Sequence, residues 1–537
     1  MRSFKTLLIL IFLTGLIFSC AKRGTPTGGP KDTLPPLLIN ASPKNKSIKF
    51  KSREIILSFD EYIKLKNLDQ QLIISPPLNL SELTIDPQTT ISKKINVEFS
   101  DSLNLEEKTT YTFNFGSSIE DNNEGNILPF FSYTISTGEI IDSLFIKGKV
   151  SDAYDQETER FVSLYLYPID STHSDSTVYI KKPLYVTNTL DTILYNFQNL
   201  REDKYQIIAI KDYGKNYFYD QGVDKIGFVS DTVDLPGDTL FDFRLFKEDF
   251  NFRWERPQYV NDHHIRFPYY GIPEINPIKL VTPVPKKFKT LITKEKNKDT
   301  LNFWFSEIKA DSLQFELKTK DTIIKTNVVF YRPELDSFYI TPVQNNLFDL
   351  NDTLRFNSSL PLSKINSKFI SLQNKDSVEI PFESSINTNK DLAYLFFKTE
   401  PNDKYDIELL PQTFIDFWGS TNDTIKLKLT TKSQDSYGII NIQLNWKIKK
   451  QKFILELIND KNEVSKRISK SNLIDLYKFE NLNPGNYKVR LIFDENDNQK
   501  WDSGNYLKKI QPEKVTYLDE EIELRENWEV NQVFILK

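Results

Sequence analysis

Hydrophobic positions fall into two patterns along this chain. The first is a single block: Leu7 to Phe18 runs Leu-Leu-Ile-Leu-Ile-Phe-Leu-Thr-Gly-Leu-Ile-Phe without a charge, behind a short segment carrying Arg2 and Lys5. Roughly 12 mostly apolar residues are too few to cross a bilayer core of about 30 Å as a helix, and a basic segment followed by such a run is the layout of a secretory signal. The second pattern starts at Leu37 and has period two. Residues 54–59, 72–75, 94–99, 110–115 and 131–136 are predicted strands, most of them alternating apolar and polar side chains. Strands recurring every roughly 10–20 residues, with no helical period between them, predict β-sandwiches. No later apolar stretch reaches about 18 residues, so the sequence predicts no membrane crossing beyond the leader.

Composition supports the strand reading. Phe (39) and Tyr (25) are abundant, and both favour strands. Glycine is scarce at 17, so Asn and Asp are expected to make the turns. The chain has 537 residues, which is too long for one domain and predicts three to five after the leader. Lys+Arg 69 against Asp+Glu 74 gives a net charge of −5. With no basic block to neutralise phosphates, the charge pattern argues against nucleic acid as a partner.

The apolar block ends Ile17-Phe18-Ser19-Cys20, and Cys20 is the only cysteine, so no internal disulfide is available. A small residue directly before a cysteine, with a branched aliphatic further back, resembles the lipobox of bacterial lipoproteins; Phe18 is bulkier than its usual occupant. The resemblance implies a signal peptide over 1–19 and lipidation at Cys20, which would hold the protein at a membrane through its N-terminal lipid. Ala21-Lys22-Arg23 lacks an inner-membrane retention aspartate and an acidic surface-export cluster, so the outer membrane is expected, with the periplasmic face favoured over the cell surface. Residues 20–36 carry Gly24, Pro26, Gly28, Gly29, Pro30, Pro35 and Pro36, a composition suited to a tether of roughly 20 Å.

Beyond the tether, Asp32-Thr-Leu-Pro-Pro36, Phe59-Asp-Glu-Tyr62, Ser75-Pro-Pro77, Phe115-Gly116, Ile119 to Asn126 and Ser136-Thr-Gly138 resemble the bacterial Ig-like domain of S-layer-type proteins. In particular they are similar to the form that opens a Bacteroidetes-type lipoprotein family, which implies an envelope-attached, non-catalytic protein. An internal repeat follows. Leu194-Tyr195, Phe197, Asn199-Leu200, Tyr205, Ile210, Asp212, Asn216, Asp220 and Gly222 recur at an offset of 282 as Leu476-Tyr477, Phe479, Asn481-Leu482, Tyr487, Ile492, Asp494, Asn498, Asp502 and Gly504, which marks a duplicated module. Each copy resembles the transthyretin-like, carboxypeptidase-regulatory-like sandwich. A looser echo links residues 354–431 to 57–137. The expected fold is all-β, a tandem array laid out as an Ig-like domain (37–139), a transthyretin-like sandwich (140–248), a middle β domain (249–340), a second Ig-like domain (341–432) and a second transthyretin-like sandwich (433–537).

Candidate chemistry is sparse. Asp494, Asn496, Asn498 and Asp502 stand at positions 1, 3, 5 and 9 of a loop, the spacing that converges oxygens on calcium. Position 6 is Gln499 rather than Gly, position 12 is Asn505 rather than Glu, and the first copy has Gly214 at position 3. Asp and Asn capping a turn through their own side chains explain the loop equally, so weak calcium is the one cofactor considered. His263 and His264 on a strand point to opposite faces and are expected to be exposed edge residues. With His numbering three, a Ser or Cys nucleophile has almost no base to call on. No phosphate loop, Rossmann glycine run or zinc-protease motif occurs. Asp-Ser/Thr-aliphatic tripeptides, twelve of them from Asp32 to Asp423, resemble the O-glycosylation sequon of Bacteroidetes exported proteins; a turn entering a strand gives the same pattern.

No enzymatic role is expected. The leading expectation is a structural or protein-interaction lipoprotein of the envelope, its partner unidentified, on an elongated array of sandwiches. A glycan- or polymer-binding module, with Trp254, Trp304, Trp418 and Trp501 as first candidates, is the alternative; a hydrolase on a β scaffold is a third.

Overall fold

The computed structural model describes residues 31–537 except 238, 250–251, 274, 276, 297, 321, 332–335, 351, 450 and 471–474. The expected signal peptide, Cys20 and most of the expected tether lie outside the described residues, as do Asp238 and Asp321. The regular structure of the described chain is almost entirely strand, with two four-residue α-turns and three short 3-10 turns. No helix is long and apolar enough to cross a membrane among the described residues.

Module one is a sandwich of two antiparallel sheets. One orders Leu38–Ser42, Glu54–Leu65, Ser92–Phe99 and Leu83–Asp86; the other orders Ile73–Ser75, Thr110–Asn114 and Ser132–Ser136. Alternation decides which face each strand buries: Ile55, Leu57 and Phe59 enter the core while Glu54, Ile56 and Ser58 stay partly exposed. With Ile95, Val97, Phe113, Phe115 and Ile135 they form one hydrophobic cluster. Equivalent clusters lie within residues 146–246, 259–328, 340–429 and 440–536, here termed modules two to five.

Modules one and four share a constellation of hydrogen bonds. In module one the Tyr111 hydroxyl accepts from the Glu106 amide, and Thr137 Oγ1 accepts from the Thr109 amide while donating to the Glu106 carbonyl. In module four Tyr405, Glu400, Thr431 and Asp403 repeat each of these bonds at an offset of 294. Modules two and five share another. The Tyr205 hydroxyl donates to the Arg201 carbonyl at 3.1 Å, and Tyr487 does the same to Asn483 at 2.7 Å. Asn199 and Asn481 both take left-handed backbone, with φ of 57° and 54°, a conformation asparagine tolerates better than most residues. Each of these two modules also closes with a parallel pair, Phe243–Lys247 on Leu144–Asp152 and Glu529–Leu536 on Gly438–Trp446.

The modules are consecutive in sequence but do not form an elongated string. Modules one and two meet where Asn199 Nδ2 donates to Thr112 Oγ1 (2.8 Å) and Gln71 Nε2 to Asp191 (2.8 Å). Modules three and four meet at Trp418, whose indole N–H donates to the Phe305 carbonyl at 3.1 Å. Modules four and five meet at Asp349, which accepts from Tyr437 (3.1 Å) and Asn483 (3.2 Å). Module five then returns to module two: the Tyr506 amide donates to Glu248 Oε1 at 2.7 Å, Gln206 Nε2 to the Tyr506 hydroxyl at 2.9 Å and the Tyr517 hydroxyl to the Tyr154 carbonyl at 2.9 Å. Modules two to five thereby close a loop, with module one attached to module two. Alternating strands define modules, but the contacts between modules rest on individual side chains such as Asn199, Gln206 and Tyr506, which carry no periodic signal of their own.

Candidate functional site

The acidic loop of module five brings Asp494, Asn496, Asn498 and Asp502 together through internal hydrogen bonds. Asp494, 3% exposed, accepts the Asn498 amide at Oδ1 (3.0 Å) and the Gln499 amide at Oδ2 (2.9 Å). Asp502 Oδ2 accepts the side-chain amides of Asn496 (2.5 Å) and Asn498 (2.6 Å). The remaining Asn oxygens are also taken: Asn496 Oδ1 accepts from the Asn498 amide, and Asn498 Oδ1 from Lys500. The backbone needs left-handed residues at Asp497 (φ 62°) and Gln499 (φ 61°), and the side-chain acceptors offset that strain. To admit a cation, both Asn amides would have to turn so that oxygen replaces nitrogen toward Asp502. No group of three or more His, Cys, Asp or Glu is placed to hold a metal among the described residues.

The first copy repeats the capping. Asp212 accepts the Asn216 and Tyr217 amides, and Asn216 Nδ2 donates to Asp220. A second carboxylate then diverges between the copies. In module two, Asp224 accepts the Tyr213 amide (3.1 Å) and the Asp220 amide (2.9 Å). In module five the amides 282 positions on, Glu495 and Asp502, go to Glu513 (2.9 and 3.0 Å). Burial pushes the Asp224 and Glu513 carboxyls above their ordinary values. The chain between Asp502 and Glu513 is released from capping, and it is this segment that docks on module two.

That contact is the most developed site between modules. Tyr506 is fully buried, its ring edge-on to Phe228 at 5.5 Å and 6.4 Å from Tyr179, with the Lys509 ammonium 4.4 Å from its centroid. Glu248, 2% exposed, accepts both the Tyr219 hydroxyl (2.7 Å) and the Tyr506 amide. Gly504 leaves no room for a side chain: a Cβ there would stand 2.6 Å from Phe246 and 2.7 Å from the Ile510 carbonyl. On the same face Arg490 and Glu456, 5% and 2% exposed, form a two-point ion pair at 2.8 and 2.7 Å, and the guanidinium lies 4.1 Å from the Tyr154 ring of module two. Trp501, one of the four candidate tryptophans, packs here against Tyr154 at 4.8 Å.

The adjacent histidines correct an expectation. Neither is an exposed edge residue: His264 is 3% exposed on a strand paired on both sides, hydrogen-bonded to Asn302 at 2.8 Å and stacked on Trp304 at 3.8 Å. Burial, against the hydrogen bond that Nε2 donates to Asn302 Oδ1, lowers its pKa from 6.5 to about 4. The folded state therefore takes up this proton near pH 4 and the unfolded chain near 6.5, so stability is expected to fall by up to about 3 kcal/mol as pH drops through that window. Denaturant melts from pH 7 to 4 check this; His264→Gln should flatten the dependence, and a slope unchanged in that variant would assign it elsewhere.

Of the other tryptophans, Trp254 is held in module three by its N–H on the Lys318 carbonyl, and Trp304 and Trp418 meet between modules three and four. They form no exposed line. A cleft of about 640 Å³ between modules one and two has exposed apolar walls at Phe130, Leu194 and Leu240 and a single lining carboxylate, Asp242. Among the sequons, Ser102, Thr232, Ser377 and Thr424 are exposed, whereas Thr300 is buried at 8% and closed to modification in the folded protein.

No curated protein matches the chain in sequence. Solved structures similar to it include native alpha-2-macroglobulin from Escherichia coli spanning domains MG0-NIE-MG1, at 10% identity and a TM-score of 0.17, covering 36% of this chain and 89% of that one. BcpA, the major pilin subunit of Bacillus cereus, is 11% identical with a TM-score of 0.15, covering 73% and 98%. The S-layer protein rSbsC is 9% identical with a TM-score of 0.15, covering 92% and 68%. None of the three superposes closely enough to bear on function. What comparison assigns is module one, where residues 32–137 match the bacterial Ig-like domain family.

Proposed function

We propose that this protein is a non-catalytic structural or protein-interaction module of the bacterial cell envelope, anchored in the outer membrane by lipid on Cys20, with the periplasmic face favoured. The observation that carries the reading is where the buried and half-buried polar groups go. Glu248, Asp349 and Arg490 each engage another module, and Asp121, Asp212 and Asp494 cap turns. The chemistry of the interior serves to hold sandwiches in place. The Ig-like module directly after a lipobox-like cysteine supports the address, and nothing in the reading requires a cofactor. Paired carboxylates at the spacing that glycoside hydrolysis needs are not formed in the larger cleft, whose lining acid is Asp242 alone among the described residues.

Mass spectrometry of the mature N-terminus tests the anchor. An acylated Cys20 is expected, with Cys20→Ser released from the membrane fraction; an unmodified N-terminus, or processing indifferent to inhibition of the lipoprotein signal peptidase, would refute it. Protease shaving of intact cells reads the face: protection supports the periplasmic side, and digestion places the protein on the surface.

Calcium in the Asp494 loop is a second reading, favoured by the convergence of Asp494, Asn496, Asn498 and Asp502. Because the amides must turn first, a dissociation constant on the order of 10⁻⁴ M or weaker is expected. Calorimetric titration of calcium into the chelator-treated protein should show saturable heat that is absent in Asp502→Ala. No heat at millimolar calcium would leave turn capping as the loop's role.

A further inference from the structure

Between modules three and four lies a cavity of about 270 Å³ whose chemistry the interface does not use up. Trp304 and Trp418 form a T-shaped corner at 6.0 Å and 75°, and the His263 ring lies 5.3 Å from Trp418. The charged groups in the lining are Glu307, Asp336 and Asp416, with no Lys or Arg among the described lining residues. In a chain with 69 basic and 74 acidic side chains, three unaccompanied carboxylates are a local excess. Asp336 accepts a neutral donor, Asn261 Nδ2, at 2.8 Å.

Asp416 is the decisive group. It is 1% exposed, and Oδ1 accepts the amides of Trp418, Gly419 and Ser420 at 2.9, 2.6 and 2.7 Å. Oδ2 has no partner. The repeat supplies an internal control: in module one the corresponding turn is capped by Asp121, where Oδ1 accepts Glu124 and Gly125 and Oδ2 accepts Asn126. The module-one turn, closed by the Asp121 N–H on the Asn126 carbonyl, satisfies both oxygens; the module-four turn, one residue shorter and closed on the Ser420 carbonyl, satisfies one. A buried carboxylate oxygen without a donor is unfavourable until a ligand supplies one, and a donor that also carries positive charge answers the local excess.

We infer that this cavity binds a small organic ammonium group of the kind a lysine side chain presents. Asp416 and Glu307 take its N–H donors, while the aromatic corner receives its methylene stem and charge. The volume lies near the small end of ligand pockets and suits a head group rather than a polymer chain. A neutral pyranose could use the aromatic wall but leaves the three carboxylates unmatched.

The probe is Nα-acetyl-L-lysine methylamide, titrated into the mature full chain by calorimetry and tryptophan fluorescence. Saturable binding is expected, weakened by salt and lost when the probe's ε-amine is acetylated. Glu307→Gln, an exposed position that leaves folding intact, should weaken it about tenfold, equivalent to 1.4 kcal/mol; Asp416→Asn should do the same or more, with circular dichroism verifying the fold. No saturation at about 10 mM probe, equal binding of the acetylated form, or an affinity unchanged in Glu307→Gln and in folded Asp416→Asn would each overturn the inference. Binding of methyl glucoside without binding of the lysine probe would also overturn it, and would assign the cavity to a neutral sugar.

Discussion

Truncating Tyr506 to alanine should destabilise the docked state of modules two and five by about 3–5 kcal/mol, the range for removing a fully buried aromatic. The side chain fills a socket made by Tyr179, Phe228 and Tyr167. Its hydroxyl accepts from Gln206, so the truncation also leaves a buried amide donor unmatched. Because Tyr506 contributes to the core of module two rather than of its own module, the loss falls on the contact and not on module five itself. Two separated unfolding transitions should replace a coupled one in calorimetry, while far-ultraviolet circular dichroism stays unchanged. Gly504→Val should have the same effect by a different route, since its side chain would collide with Phe246 and the Ile510 carbonyl. A single coupled transition in both variants would show that docking does not rest on this segment.

Removing Glu456 should be as costly, for an electrostatic reason. Arg490 and Glu456 are both nearly inaccessible, and breaking a buried pair from one side leaves an uncompensated charge, typically at about 3–5 kcal/mol. Arg467, 3.5 Å from Glu456 Oε1, adds a second cation to the abandoned site. Glu456→Ala is expected to lower the denaturant midpoint of module five. The double change Glu456→Met with Arg490→Met should recover most of that loss, because two apolar side chains of similar volume need no partner; it should not recover docking, because Arg490 also lies against Tyr154. If the double variant were no more stable than the single one, burial of the unpaired charge would not be the cause.

How much of this was legible in the sequence depends on the length scale of each interaction. Strands such as Glu54–Leu65 bury every second residue over many positions, so their period survives noise. The duplication was legible through Asp212/Asp494, Asn216/Asn498 and Tyr205/Tyr487, because each makes a local bond within its own module. Legibility stops just past Gly222 and Gly504. There module two continues into Asp224, which caps its own loop, whereas module five has Tyr506 at the matching position and leaves the capping to Glu513. A tyrosine in a loop gives no sign that its socket lies some 300 residues earlier, between Gln206 and Phe228. The histidines failed for a related reason: His264 and Trp304 lie on the outer face of their sheet, and adjacent residues on a strand are expected to include one that meets water. The carboxylate cap at Asp416 was visible as part of the looser repeat, but its unpartnered oxygen depends on where one amide stands.

The account stands or falls on whether module five returns to module two, and small-angle scattering of the mature protein measures this directly. A 100-residue module has a radius of gyration of about 13 Å, so five placed end to end would give roughly 50 Å. The closed arrangement predicts a value well below that, rising toward it in Tyr506→Ala. A wild-type value near roughly 50 Å, unmoved by Tyr506→Ala, would contradict it.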